Sequence, residues 1–199
     1  MLEPRTSGTQ GDTALNARTS QSHPLQIDTL EPAGQGRLGL TFCPGKHDPH
    51  AQTGAWDRDL EADLRAVLDW GASAVVTLME AHELEFLRVP DLGDRIGQAG
   101  LHWWHLPIVD GGVPDARFEH AWTRVGEDLR RRLGAGEGIV VHCRGGLGRT
   151  GVVAARLLVE FGEAPERALV RVRCARAGTV ENRHQEDYVR GLVQVQGIL

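Results

Sequence analysis

Ile139-Val140-Val141-His142-Cys143-Arg144-Gly145-Gly146-Leu147-Gly148-Arg149-Thr150-Gly151 is the stretch of this sequence on which the fold turns. Its first part is a β-branched run, and its second part is glycine-rich and opens a segment with helical spacing, residues 150–161. A strand therefore delivers a cysteine to the start of a helix. There, free amide N–H groups and the helix dipole favour an anion, so a thiolate is stabilised, and the thiolate is the nucleophilic form of cysteine. Gly145, Gly146 and Gly148 let the backbone curl so that successive N–H groups, with those of Arg144 and Leu147, face one point: a nest for a tetrahedral oxyanion. Arg149 closes the ring with a planar fork that fits two phosphate oxygens. A buried cysteine entering an ordinary glycine-rich turn leaves Arg149, His142 and Thr150 without purpose. The spacing lacks the G-x-G-x-x-G of a dinucleotide loop and the G-x-x-x-x-G-K-[ST] of a P-loop.

Outward from this stretch, apolar runs at 38–42, 74–78, 101–106 and 138–142 alternate with amphipathic stretches. Leu60, Leu64, Val67 and Leu68 follow helical spacing, with Asp57 able to cap the start and Gly71 to end it; Phe118, Trp122, Val125, Leu129 and Leu133 do the same after Pro114 and Asp115. Helical segments at 150–161, 165–177 and 182–196 complete the chain. The pattern predicts an α/β fold: a central, mostly parallel sheet flanked by helices, with a helical C-terminal third. In such sheets ligands sit at the carboxyl ends of strands, which places the site at Cys143. Residues 1–36 carry eight Ser or Thr, no aromatic residue and few apolar positions, and read as a flexible leader before a single domain at 37–199.

The 199 residues carry a formal charge of only −5, and the basic residues are 21 Arg against the single Lys46. No basic block offers itself to nucleic acid, and no apolar run is long enough to span a membrane. Three cysteines without a secretory leader point to free thiols and a cytoplasmic setting.

The segment from His142-Cys143 to Arg149-Thr150 resembles the signature of the cysteine-dependent protein tyrosine and dual-specificity phosphatases. Within them the chain is most similar to the kinase-associated, cyclin-dependent-kinase-inhibitor type. Three further blocks carry that resemblance in order: Cys43-Pro44-Gly45-Lys46; Glu83-Leu84 with Arg88-Val89-Pro90-Asp91-Leu92; and Pro107-Ile108-Val109-Asp110-Gly111-Gly112-Val113-Pro114-Asp115. The resemblance spans about residues 38–195 and implies a phosphomonoester hydrolase working through a phosphocysteine, with a phosphorylated protein as substrate and neither metal nor cofactor. It also implies a kinase as partner.

Such enzymes place an acid on a mobile loop about thirty residues before the nucleophile. Asp110 lies 33 residues before Cys143, and Gly111-Gly112 behind it supply hinge freedom; Asp115, the competitor, reads as a helix N-cap. By the same resemblance His142 orients the thiolate and Gln185 positions hydrolytic water. Thr150 offers a hydroxyl to the cysteine sulfur, and Arg144 adds a cation to the loop. Lys46 reads as a solvated loop cation, or as a group near the phosphate. Cys43 reads as a core cysteine, with a disulfide to an oxidised Cys143 as the alternative, and Cys174 as structural. Two other readings stand beside the protein phosphatase: an enzyme for a phosphoinositide or RNA 5′ phosphate, and a phosphoprotein-binding module without turnover.

Overall fold

The computed structural model describes residues 17–32, 36–51 and 53–195. In chain order the elements are β1 (Asp28–Leu30), β2 (Arg37–Phe42), β3 (His47–Asp48), β4 (Trp56–Asp57), α1 (Leu60–Asp69), β5 (Ala72–Thr77), α2 (Ala81–Phe86), α3 (Leu92–Gln98), β6 (His102–His105), α4 (Ala116–Gly134), β7 (Gly138–Cys143), α5 (Gly148–Glu160), α6 (Pro165–Ala175) and α7 (Arg183–Arg190). The main sheet has the order β1-β2-β7-β5-β6. Its inner pairs β2·β7, β7·β5 and β5·β6 are parallel, and β1 adds an antiparallel edge to β2.

Every residue of β7 is buried, as a continuous apolar run should be when helices cover both faces of a parallel sheet. Helices α4 and α5 pack on β7, α1 on β5, α3 on β6 and α6 on β1. The stripe read from sequence on α4 points inward, with Phe118, Trp122, Val125, Leu129 and Leu133 all buried; on α1 Leu64 and Val67 are buried and Leu60 half-buried, while Leu68 turns out to solvent. Asp115 caps α4, accepting from the Phe118 N–H at 2.9 Å. The cap of α1 is Asp59 and not Asp57, because the chain pairs through Asp57 in β4 before it turns; Asp59 accepts from Ala62 N–H at 2.7 Å. The C-terminal helices are shorter than their sequence pattern: α6 ends at Ala175 and α7 at Arg190, where Gly191 forms the C-cap.

The leader expectation fails over residues 17–32. Asp28, Thr29 and Leu30 pair with Leu40, Gly39 and Leu38 of β2, and Leu25 and Leu30 join the core. The reason is backbone, not composition: β2 would otherwise present a free edge, and a short polar strand with two leucines suffices to cover it. Arg18 bridges to Trp56. The same expectation for residues 1–16 lies outside the described residues. Among the described residues no helix is long and apolar enough to cross a membrane.

Candidate active site

The parallel register sets Phe42 beside Cys143, so the two central strands end together and their following loops form one rim. After Cys143 the chain turns at once into α5 through residues 144–147. Gly146 takes φ of +73°, and a Cβ there would stand 2.4 Å from the Thr41 carbonyl oxygen, so only glycine fits. Its N–H donates to Cys143 Sγ at 3.3 Å. The sulfur thus sits at the head of α5 with an amide already aimed at it, an arrangement that can hold an oxyanion.

Arg149, in the first turn of α5, turns its side chain back under the same loop and is only 2% exposed. Its Nη1 donates to Glu83 Oε2 at 2.6 Å and to the Ile108 carbonyl at 3.0 Å, and its Nη2 donates to Glu83 Oε1 at 2.8 Å. Nη2 also lies 2.8 Å from Asp110 Oδ1. A buried guanidinium requires such partners, and the bidentate glutamate fixes the plane of the fork. Burial pushes the Glu83 carboxyl up, but its bonds from Arg149 and from the Glu80 N–H outweigh burial and hold it below the usual carboxylate range. Sequence reasoning quoted Glu83 only within a block of resemblance and gave it no role. Its signal is geometric, since 66 residues separate it from Arg149.

Asp110 stands at the mouth of the cleft with its side chain mostly exposed, on a loop held from behind by α7. Asn182 Nδ2 donates to the Gly111 carbonyl at 3.0 Å and Gln185 Nε2 to that of Gly112 at 3.2 Å. Gln185 is fully buried and lies beside Gly148; its Oε1 accepts from the Glu181 N–H at 2.9 Å, so its amide links α7 to the loop of Asp110. Thr150 makes no hydrogen bond to the sulfur: its Oγ1 is buried without a hydrogen-bond partner, and the sulfur's donor is the Gly146 amide.

His142 is fully buried, with Nε2 2.8 Å from Thr77 Oγ1, which also accepts from Trp103 Nε1 at 2.9 Å. Its imidazole ties β7 to β5 and β6. Arg144 is clamped by the buried Asp48, whose Oδ2 accepts from its Nε at 3.2 Å and Nη2 at 3.0 Å. Lys46 is not a solvated cation: it is 4% exposed, its Nζ lies 4.7 Å from the ring centre of Phe42 and 4.9 Å from that of Trp56, and burial pushes its ammonium down to about 8. Cys43 is a core thiol, pushed well up by burial, whereas Cys174 is exposed and holds nothing in the core.

Cys143, Arg144, Gly145, Leu147, Arg149 and Asp110 line one cleft of about 700 Å³, so residues far apart in the chain converge on the place the strand end predicts. Among known families, the sequence model of cyclin-dependent kinase inhibitor 3 matches residues 35–169. The chain belongs to the cyclin-dependent kinase inhibitor 3 family. Human cyclin-dependent kinase inhibitor 3 is 32% identical over 155 residues, which are 76% of this chain and 69% of the human protein. A crystal structure of kinase-associated phosphatase, with its catalytic-site cysteine replaced by serine, superposes with a TM-score of 0.74 at 29% identity, covering 83% of this chain and 92% of that one. The active form of Tk-PTP matches with a TM-score of 0.60 at 26% identity, over 81% and 96% of the two chains. This member of the cyclin-dependent kinase inhibitor 3 family is accordingly a cysteine-dependent phosphatase of the tyrosine and dual-specificity class, with the doubly flanked, mostly parallel sheet of that class.

Proposed function

We infer that the cleft hydrolyses phosphorylated protein side chains in two steps carried by Cys143 and Asp110. The Cys143 thiolate attacks phosphorus and the bond to the side-chain oxygen breaks, while Asp110 gives that oxygen its proton. Water then attacks the phosphocysteine, Asp110 takes the proton, and phosphate leaves with the thiolate restored. Arg149 and the N–H groups of the phosphate-binding loop hold the equatorial oxygens through both steps, where charge builds.

The observation that carries this reading is the Asp110–Arg149 contact of 2.8 Å above the loop that holds Cys143. An arriving phosphoryl group takes the carboxylate's place on Arg149 Nη2 and releases Asp110 beside the leaving oxygen. Family membership supports a phosphoprotein substrate and association with a kinase, and the free thiols of Cys43, Cys143 and Cys174 suit a cytoplasmic setting.

The test separates the acid from the nucleophile. Asp110→Ala should slow a phosphothreonine peptide by about 10²-fold or more and a dinitrophenyl phosphate, whose leaving group needs no proton, by only a few fold. Cys143→Ser should turn over neither. Equal slowing of both substrates by Asp110→Ala would move the acid role to another residue.

A further inference from the structure

The carbonyls of loop residues 144–147 all have donors, two of them the side chains of Lys46 and Arg176 in the wall of the cleft. The Arg144 carbonyl accepts from the Cys43 N–H and from Lys46 Nζ, each at 3.5 Å. The Leu147 carbonyl accepts from the Gly151 N–H at 2.8 Å and the Val180 N–H at 3.5 Å. Between them, the Gly145 and Gly146 carbonyls share one side chain: Arg176 donates from Nη2 to Gly145 at 3.4 Å and from Nε to Gly146 at 2.8 Å.

A trans peptide unit is planar, with its C=O and N–H pointing in opposite directions. Holding these carbonyls outward therefore turns the N–H groups of Gly145, Gly146, Leu147 and Gly148 inward, and the Gly146 N–H on Cys143 Sγ is the visible case. The two peptides that Arg176 holds flank Gly146, at the apex of the loop, where paired glycines resist rotation least.

Arg176 is itself set from outside the loop. It is the C-cap residue of α6, in extended backbone, and its Nη1 lies 2.7 Å from Asp28 Oδ2 on β1. Both side chains are largely buried, so the pair is screened little by water. Asp28 Oδ1 accepts in turn from Gln26 Nε2 at 2.9 Å. The chain of contacts runs from the N-terminal edge strand, through one guanidinium, to the peptides of the loop.

We propose that Arg176 is a positioning residue of the phosphatase reaction, holding the Gly145 and Gly146 carbonyls outward so that the loop's N–H groups stand ready for phosphoryl oxygens, and that Asp28 of β1 holds Arg176 in that pose. Only a planar fork reaches two carbonyls and a carboxylate at once; an ammonium on a flexible stem does not. The proposal rests on the phosphatase reading of the cleft and adds to it a dependence on the N-terminal segment.

Tungstate, a tetrahedral oxyanion, serves as the probe, measured by calorimetry beside kcat and KM for p-nitrophenyl phosphate. In Arg176→Met both the tungstate Kd and KM should rise by about tenfold or more, the equivalent of losing one charge-assisted contact. Arg176→Lys should recover part of the loss, and Asp28→Asn should shift both constants the same way by about threefold. A purely structural arginine would lower kcat through fewer folded molecules and leave Kd and KM of the survivors unchanged. Wild-type Kd and KM in folded Arg176→Met overturn the proposal; should that variant not fold, wild-type constants in both Arg176→Lys and Asp28→Asn overturn it equally. Failure of the phosphatase reading would show separately, as wild-type protein that binds tungstate and does not turn over the aryl phosphate.

Discussion

At the scale of single residues the proposed reaction depends on how Arg149 is held. Its two nitrogens meet Glu83 in a bidentate pair buried beneath the loop, and on the proposed reading the glutamate sets the angle at which the fork meets a phosphoryl group. Glu83→Gln keeps the shape and removes the charge, and its amide N–H₂ would face the guanidinium donor to donor. The expected outcome is a fall in kcat/KM of about 10- to 10²-fold, since a misaimed transition-state donor is nearly a lost one. Stability should drop by on the order of 3 kcal/mol, the cost of breaking a buried pair from one side. Steady-state kinetics beside urea unfolding of the same variant measure both. Unaltered kinetics would reduce Glu83 to its bond with the Glu80 N–H at the start of α2.

At the scale of elements, β1 is the test of what the N-terminal segment does. Deleting the chain through residue 32 removes Leu25 and Leu30 from the core, at about 1.5–3 kcal/mol each, and bares the edge of β2. The melting temperature should fall by about 10 °C or more. Differential scanning calorimetry of the shortened chain decides it, and an unchanged transition would show β1 to be decoration. This element was not legible in the sequence, whereas the central strands were. The runs 74–78 and 138–142 announce themselves because β-branched residues buried on both faces leave no polar alternation to interpret. Gln26 to Glu31 is mostly polar, and its order comes from hydrogen bonds that β2 offers, which no local pattern records. The six residues of α2 and seven of α3 are likewise too short for helical periodicity to emerge. The site divides the same way. Cys143, the glycines and Arg149 are contiguous, so one stretch of sequence displays them. Glu83, Asp28 and Arg176 act across separations of 66, 148 and 30 residues, which only the folded chain closes.

At the scale of the whole molecule, stability toward acid turns on His142, which joins three strands of the parallel core. Burial first, and the nearby Arg149 charge after it, push its protonation down to about 3. An unfolded imidazole protonates near 6.5, so between about 6.5 and 3 the unfolded chain binds the extra proton and stability rises with pH. The contribution is complete above that window and is lost as pH falls through it, by about 2 kcal/mol at pH 5. Urea unfolding from pH 7.5 to 4.5 should show a shallower acid slope for His142→Asn than for the wild type, the carboxylates being common to both. Parallel slopes would mean that the imidazole titrates normally in the folded state.

The placement of Lys46 has a chemical consequence for the exterior. It is the only lysine in 199 residues, and it is sealed between two aromatic rings with 4% of its surface exposed. The folded protein therefore offers no ε-amine to acylating agents, to cyanate, to aldehyde cross-linkers or to enzymes that build isopeptide bonds. Its surface cations are guanidinium groups, which keep their charge at every pH the fold survives. Labelling, immobilisation or tagging through lysine would first have to open the wall of the active-site cleft.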